Sequence, residues 1–319
     1  MKPREIGGYF ELERLKSNEL YSDYDAFSSA RNCLRFILRE RHVKKIYIPY
    51  FLCDAFSNVC DKEGVKVDYY HIGRDFLPDL NGELSSEEYI CIVNYYGLID
   101  SETMALLNNK YTRMIIDNTH AFFMEHIDGV DTIYNCRKYF GVPDGAYLAS
   151  ELSVDGSMIK KGKSGFRMKH LIGRFEDSAS DYYEDFKKSE ESFYDEDLTR
   201  MSNLTQNIMG AIDYDYVLEC RKKNIAVLHN SLQQLNRLDF NIESMNFMYP
   251  FMTEKSQDVR NALIRNNVFV PTLWPNVFEN GSNELECMYA RDIIPIPIDQ
   301  RYDRNDMMHI INIVKDNCL

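Results

Sequence analysis

Several features are absent from this chain, and each absence removes a class of function. No stretch approaches the roughly 20 consecutive apolar residues of a membrane-spanning helix. The start, Met1-Lys-Pro-Arg-Glu5, is charged and no long apolar run follows it, so no secretory leader is expected. The eight cysteines are scattered and no Cys-x-x-Cys occurs, which argues against a zinc site or a redox pair. Thiols such as Cys91, set in Tyr-Ile-Cys-Ile-Val, read as small hydrophobes of a reducing, cytoplasmic setting. No Gly-x-Gly-x-x-Gly or Gly-x-x-x-x-Gly-Lys-Ser/Thr follows a strand, which counts against a Rossmann or P-loop nucleotide site. Positive charge is also short. The net charge is −13, whereas a nucleic-acid surface needs clustered Lys and Arg. The brief runs Lys160 to Lys163 and Arg221 to Lys223 read as solvated faces. No internal repeat or low-complexity tract is visible.

What remains is an ordinary globular composition, with 45% hydrophobic and 27% charged residues over 319 positions. That length suits a large domain joined to a smaller one. The organising stretch is Thr132-Ile-Tyr-Asn-Cys-Arg-Lys138-Tyr-Phe-Gly-Val-Pro-Asp-Gly145-Ala-Tyr-Leu-Ala149. It reads as a strand, a turn carrying Arg137 and Lys138, and a second strand. Upstream, Met114-Ile-Ile-Asp117-Asn-Thr-His120 ends another strand on an acid, with a histidine three residues later. Most lysines are solvated surface charges, and an acid at a strand end is often a turn former. A lysine and an aspartate on neighbouring strand ends nonetheless suggest pyridoxal 5'-phosphate (PLP). The lysine would form the Schiff base and the acid would partner the pyridinium nitrogen.

Taken in order, residues 1–25 read as an N-terminal arm, with a turn and short strand from Gly7 to Glu13. Ser28-Ser29 caps a helix to about Arg41. Strands are expected over 44–49, 65–71, 88–94 and 113–117, with helices over 54–63 and 101–110. Near-continuous apolar strands alternating with helices indicate an α/β fold with a mostly parallel sheet covered on both faces. Ligands of such sheets bind beyond the carboxyl ends of the strands, where Pro49, Asn94, Asp117 and the Lys138 turn fall. A helix is expected within 176–194, presenting Tyr182, Tyr183 and Phe186 on one face. A long unbroken helix over about 204–235 would connect the domains. A small C-terminal α/β unit would follow, with strands over 246–252, 268–271 and 293–298 and helices over 255–266 and 305–315. The domain reading is therefore arm 1–25, large domain 26–203, connecting helix 204–240 and small domain 241–319.

The chain resembles the DegT/DnrJ/StrS aminotransferases, PLP enzymes of fold type I that mostly act on nucleotide-linked keto sugars, some of them in polysaccharide biosynthesis. Six segments carry the resemblance, in the family's order: Ser29-Ala-Arg-Asn-Cys-Leu34, Ile48-Pro49-Tyr-Phe, Val93-Asn-Tyr-Tyr-Gly97, Ile116-Asp117-Asn-Thr-His120-Ala121, Lys138 with Gly145-Ala146, and Ile293-Ile-Pro-Ile-Pro-Ile298. The resemblance implies that Lys138 carries PLP as the internal aldimine and shuttles the proton, and that Asp117 keeps the pyridine nitrogen protonated. His120 would contact the ring or its 3′ oxygen. Ser29, Ala30 and Arg31 would open a helix whose N-terminus suits the phosphate. Asn135 would take the phosphate-binding place that many relatives give to serine. The implied reaction moves an amino group from an amino acid such as glutamate to a keto sugar, in a homodimer.

The sequence also departs from the family pattern. Leu52 and Cys53 stand where a threonine and a ring-stacking aromatic are usual, so stacking would come from His120 or Tyr50. Ala146 replaces the second glycine, and no clear Asn-x-Arg-Met stretch is found near Met201-Ser-Asn203. Three other readings compete: a PLP enzyme of different reaction, such as sugar dehydration, in which known relatives replace the lysine with histidine; a catalytically degenerate relative that binds a sugar or protein partner; and a nucleotide-binding α/β protein without PLP.

Overall fold

The computed structural model describes residues 10–15, 18–80, 84–153, 159–244 and 247–318. Its first half consists of β1 (Asp25–Phe27), α1 (Ala30–Glu40), β2 (Lys45–Pro49), α2 (Asp54–Lys62), β3 (Lys66–Ile72), β4 (Pro78–Asp79), β5 (Tyr89–Val93), α3 (Ser101–Lys110), β6 (Met114–Asp117), β7 (Asp131–Asn135) and β8 (Ala146–Ala149). Then come the helices α4 (Lys169–Glu176), α5 (Tyr183–Glu191), α6 (Asn203–Met209) and α7 (Tyr214–Leu232). The chain closes with β9 (Met248–Met252), α8 (Ser256–Arg265), α9 (Glu284–Asp292), β10 (Ile293–Pro297) and α10 (Arg304–Cys318).

Eight strands form one sheet in the order β1-β8-β7-β6-β5-β2-β3-β4. The five central strands β3, β2, β5, β6 and β7 run parallel, while β8, β1 and β4 run antiparallel to their neighbours. Every residue of β5 and of β8 is buried, as expected of strands covered on both faces. Strand order reverses between β2 and β5, and this switch point opens a crevice at the carboxyl ends of the strands. A second, two-stranded antiparallel sheet pairs β9 with β10.

Differences from the sequence reading have physical causes. The turn expected at Gly7 lies outside the described residues, and Phe10 to Glu13 forms no strand. Asn246 also lies outside them, and β9 begins at Met248. The acidic, tyrosine-rich stretch is helical only from Tyr183, after the separate α4. The long helix expected from residue 204 is two helices: α6 ends on Gly210, and Asp213 starts α7 by accepting from the Tyr216 N–H. Residues 268–271, expected as a strand, form none. The sequence reading missed α9, although Asn283 and Glu286 form a capping box at its start. Arg221, expected on a solvated face, is only 2% exposed. Among the described residues, no helix is long and apolar enough to cross a membrane.

The capping box does more than start a helix. Glu286 is fully buried, and its carboxylate accepts from the Asn283 N–H at 2.8 Å and from the Ile72 N–H of β3 at 3.0 Å. His71 Nδ1 lies 3.0 Å from the same carboxylate. This carboxylate therefore fastens the C-terminal unit to the strands beyond the switch point. Glu286→Ala strands two backbone donors in the interior and is expected to cost about 3 kcal/mol. Denaturant unfolding checks this, and a loss below about 1 kcal/mol contradicts it.

Candidate active site

The site forms where four strand ends and one helix start meet. Register places Asp117 of β6 opposite Ile133 of β7, so the chain beyond β7 turns directly beside Asp117. Residues Cys136 to Lys138 make a single tight turn, started by Asn135, whose side chain accepts from the Arg137 N–H at 3.1 Å. Gly145 holds that turn from the other side. Its carbonyl accepts from the Cys136 N–H at 3.2 Å, and its own N–H donates to Ser28 O at 2.6 Å. Gly145 has φ +118, and a Cβ there would meet Thr205 at 2.9 Å and Met201 at 3.1 Å, so only glycine fits. One residue thus ties the Lys138 turn to the start of α1.

Lys138 is exposed to solvent yet surrounded on all sides by protein, as is Cys53 at the start of α2. Both side chains therefore point into an internal opening, not onto an outer surface. Among the described residues, the Lys138 ammonium has no hydrogen-bond or ion-pair partner. Burial holds its pKa below the ordinary lysine value. Cys53 and Asp117 oppose the shift, and the positive charges of Arg137 and Arg31 reinforce it. Asp117 is pushed upward, chiefly by burial, against the Thr119 N–H that donates to its Oδ1 at 2.9 Å and against the Lys138 charge.

His120 is buried, and burial, aided by Lys138, pushes its pKa well down, so the ring is neutral. The Tyr96 N–H points at its Nδ1 from 3.4 Å, which leaves the ring hydrogen on Nε2. Tyr96 attains this direction with φ +56, an unusual conformation for a bulky residue. One face of the imidazole is covered by Phe247, with centroids 3.9 Å apart and planes 14° apart. Trp274, another C-terminal residue, packs on Phe51, Tyr95, Tyr96 and His120. Asn276 donates to Leu52 O at 2.8 Å and Asn280 to Tyr50 O at 2.9 Å, fixing the loop that carries Cys53. Tyr50, the other expected stacking ring, is instead stacked on Tyr69 and His71 over β3.

At the start of α1, Ser29 is the N-cap and its hydroxyl accepts from the Asn32 N–H at 3.3 Å. Ala30 and Arg31 follow as the first helical residues, whose N–H groups face outward along the axis. Arg31 Nε is buried without a hydrogen-bond partner, and the guanidinium lies 5.3 Å from the Tyr194 ring. It borders a cavity of about 340 Å³ shared with Ala55, Asn58, Lys62 and Tyr194. Close by, Arg137 is driven down to about 10 by burial and by the like charges of Arg31 and Arg167, although it pairs with Glu190. Phe193 lies between the guanidinium groups of Arg137 and Arg167, at 4.2 and 3.7 Å. Cationic groups beside free helical N–H groups suit a phosphate.

The expected residues thus meet: Lys138, Asp117, His120 and Arg31 share one electrostatic neighbourhood, Asn135 shapes the turn, and Ser29 and Ala30 open the helix beside it. An enclosed amine, a half-buried acid and an anion cradle with an orphaned guanidinium nitrogen fit PLP. The ring-stacking position is the one poor match, since Cys53 is small. Sequence reasoning missed Phe247, Trp274 and Arg221, which reach the site from far along the chain and leave no local signal.

No family profile matches this chain, and no protein of curated function matches it in sequence. Solved structures do match its fold. A DegT DnrJ EryC1 StrS aminotransferase from Brucella abortus superposes with a TM-score of 0.65 at 14% identity, over 92% of this chain and 85% of that one. The putative sugar aminotransferase Spr1654 from Streptococcus pneumoniae, in its PLP form, gives 0.65 at 14% identity over 94% and 88%. Helicobacter pylori PseC, an aminotransferase involved in the biosynthesis of pseudoaminic acid, gives 0.61 at 13% identity over 92% and 85%. The fold is therefore the one these aminotransferases share.

The lowered pKa of Lys138 has a direct consequence. At about pH 8, well below the ordinary lysine pKa of about 10.4, limiting acetic anhydride is expected to acetylate Lys138 ahead of exposed lysines such as Lys223. Peptide mapping reads the order of labelling, and a Lys138 that lags behind surface lysines contradicts the assignment.

Proposed function

We propose that this protein is a PLP-dependent aminotransferase that moves an amino group from an amino acid, glutamate being the simplest donor, to a nucleotide-linked keto sugar. The observation that carries the reading is the enclosed Lys138 amine, without a hydrogen-bond or ion-pair partner among the described residues, in the electrostatic neighbourhood of the half-buried Asp117 carboxylate, on the strand ends of a fold shared with sugar aminotransferases.

Bound in this crevice, PLP supplies an electron sink for the charge left on a substrate carbon that loses its proton. The chain's own residues do the rest. Lys138 would hold the cofactor and, once released as a neutral amine, would serve as the base that takes the proton of the donor carbon and gives it back. Burial and the nearby arginines lower its pKa and so raise the share of the neutral amine. Asp117 holds a proton on the ring nitrogen, which the surrounding low dielectric makes a strong interaction. Phe247 fixes the plane of His120, whose Nε2–H would be free to donate to the ring oxygen. Ser29, Ala30 and Arg31 receive the phosphate at the start of α1, and Asn135 keeps the Lys138 turn closed.

A homodimer belongs to the same proposal. Phe166, Ile172, Phe175, Tyr183 and Phe186 are exposed on and beside α4 and α5, apolar side chains that a partner subunit would cover. Exposed Tyr194 borders the Arg31 cavity. The degenerate-relative reading draws on Cys53, which offers no ring to stack on a cofactor.

Amino transfer from glutamate to a nucleotide-linked keto sugar is the assay. Lys138→Ala is expected to lower kcat by about 10⁴-fold or more. Asp117→Asn is expected to lower it at least about a hundredfold. Both variants should keep wild-type circular dichroism. Turnover that survives Lys138→Ala contradicts the proposal, and PLP binding without turnover on any keto sugar favours the degenerate relative.

A further inference from the structure

Among the described residues Arg221 has the largest fully buried side chain, yet it lies on α7, a helix that carries none of the candidate site residues. Its guanidinium reaches Tyr139, Phe247 and Gln300 together. Nη2 donates to Tyr139 O at 3.3 Å, Nη1 to Phe247 O at 3.2 Å and Nε to Gln300 Oε1 at 3.2 Å. Gln300 in turn donates from Nε2 to the same Tyr139 carbonyl at 3.0 Å. The guanidinium also lies 4.5 Å from the centre of the Tyr139 ring.

The two carbonyls it gathers are particular ones. Tyr139 directly follows Lys138 and closes its turn by donating from N–H to Cys136 O at 3.0 Å. Phe247 is the ring stacked on His120. Lys138 itself has no side-chain partner among the described residues, so its position is set only by the backbone that carries it. A planar cation with a fixed fork of donors can bridge such diverging acceptors, whereas a lysine ammonium cannot. Burying it is costly, which a purely space-filling role would not require.

We propose that Arg221 is a positioning residue. By joining the carbonyl after Lys138 to the carbonyl of the ring that covers His120, it sets where the Lys138 amine sits in the crevice and couples that position to the docking of the C-terminal unit. The inference deepens the function proposed above and rests on it for its catalytic meaning. Its geometric content, the placement of one amine, is measurable without turnover.

The test is competitive acetic anhydride labelling of the full chain across a pH series, read lysine by lysine, for wild type, Arg221→Lys and Gln300→Ala. Gln300→Ala removes the second donor to Tyr139 O and the acceptor of Arg221 Nε, and keeps the Arg221 donors to Tyr139 O and Phe247 O. The expected result is that Lys138 titrates closer to an ordinary lysine in Arg221→Lys, by at least about half a pH unit, and by less in Gln300→Ala. Surface lysines should titrate as in wild type. A structural role alone would lower the melting temperature and leave every lysine's titration unchanged. That result in folded Arg221→Lys overturns the proposal. If Arg221→Lys does not fold, an unchanged Lys138 in Gln300→Ala overturns it. Adding PLP to the wild type in parallel separates the two claims: a wild type without a cofactor band sinks the functional reading, whereas only the lysine titration bears on Arg221.

Discussion

The candidate site depends on the two backbone hydrogen bonds of Gly145. Its carbonyl receives the N–H of Cys136 at the start of the Lys138 turn, and its N–H reaches Ser28 just before α1. The Lys138 end and the α1 end of the crevice are thereby fixed to one residue. The positive φ and the contacts with Thr205 and Met201 leave no room for a side chain. Asp144, the preceding residue, is buried and accepts from the Ser202 N–H and hydroxyl, which locks the same peptide to the start of α6. From this clasp, strand register does the rest: β7 beside β6 brings Asp117 to the turn, and β5 on the other side of β6 brings Tyr96 to His120.

Around this frame, charge is arranged against its usual preference. Lys138 and Arg137 lie near Arg31 in an enclosed space, where desolvation and like charges lower the pKa of Lys138 and of Arg137. Glu190 offsets Arg137, and Glu196 offsets Arg167, but among the described residues Arg31 Nε has no hydrogen-bond partner and Lys138 has no hydrogen-bond or ion-pair partner. Such an imbalance costs stability in the protein alone, and an anionic ligand with a reactive carbonyl would relieve it at both points. Perturbed groups of this kind cluster at functional sites more often than in structural ion pairs.

Much of this was legible in the sequence because its causes are local. Ser29 before a helical apolar pattern fixes the start of α1, and β-branched runs ending on Asp117 and Asn135 mark β6 and β7. The glycine at position 145 signals a backbone requirement. Other features have causes that no local pattern carries. Phe247 and Trp274 cover His120 because the C-terminal unit docks there, at sequence separations beyond any periodicity. Arg221, within a basic triplet, looks solvated until the carbonyls of Tyr139 and Phe247 are found around it. Tyr50 is drawn away from the crevice by Tyr69 and His71, its neighbours across the pair of strands. The break at Gly210 was visible as a glycine, but a helical pattern continues on both sides and hides it.

The central claim is that Lys138 is the amine that carries a carbonyl cofactor. It is tested most directly by adding PLP to the purified protein, recording the visible spectrum before and after borohydride, and mapping the modified peptide. The account predicts a yellow absorption band that borohydride removes, with the pyridoxyl group fixed on Lys138. No band, or a label on a different lysine, would contradict it.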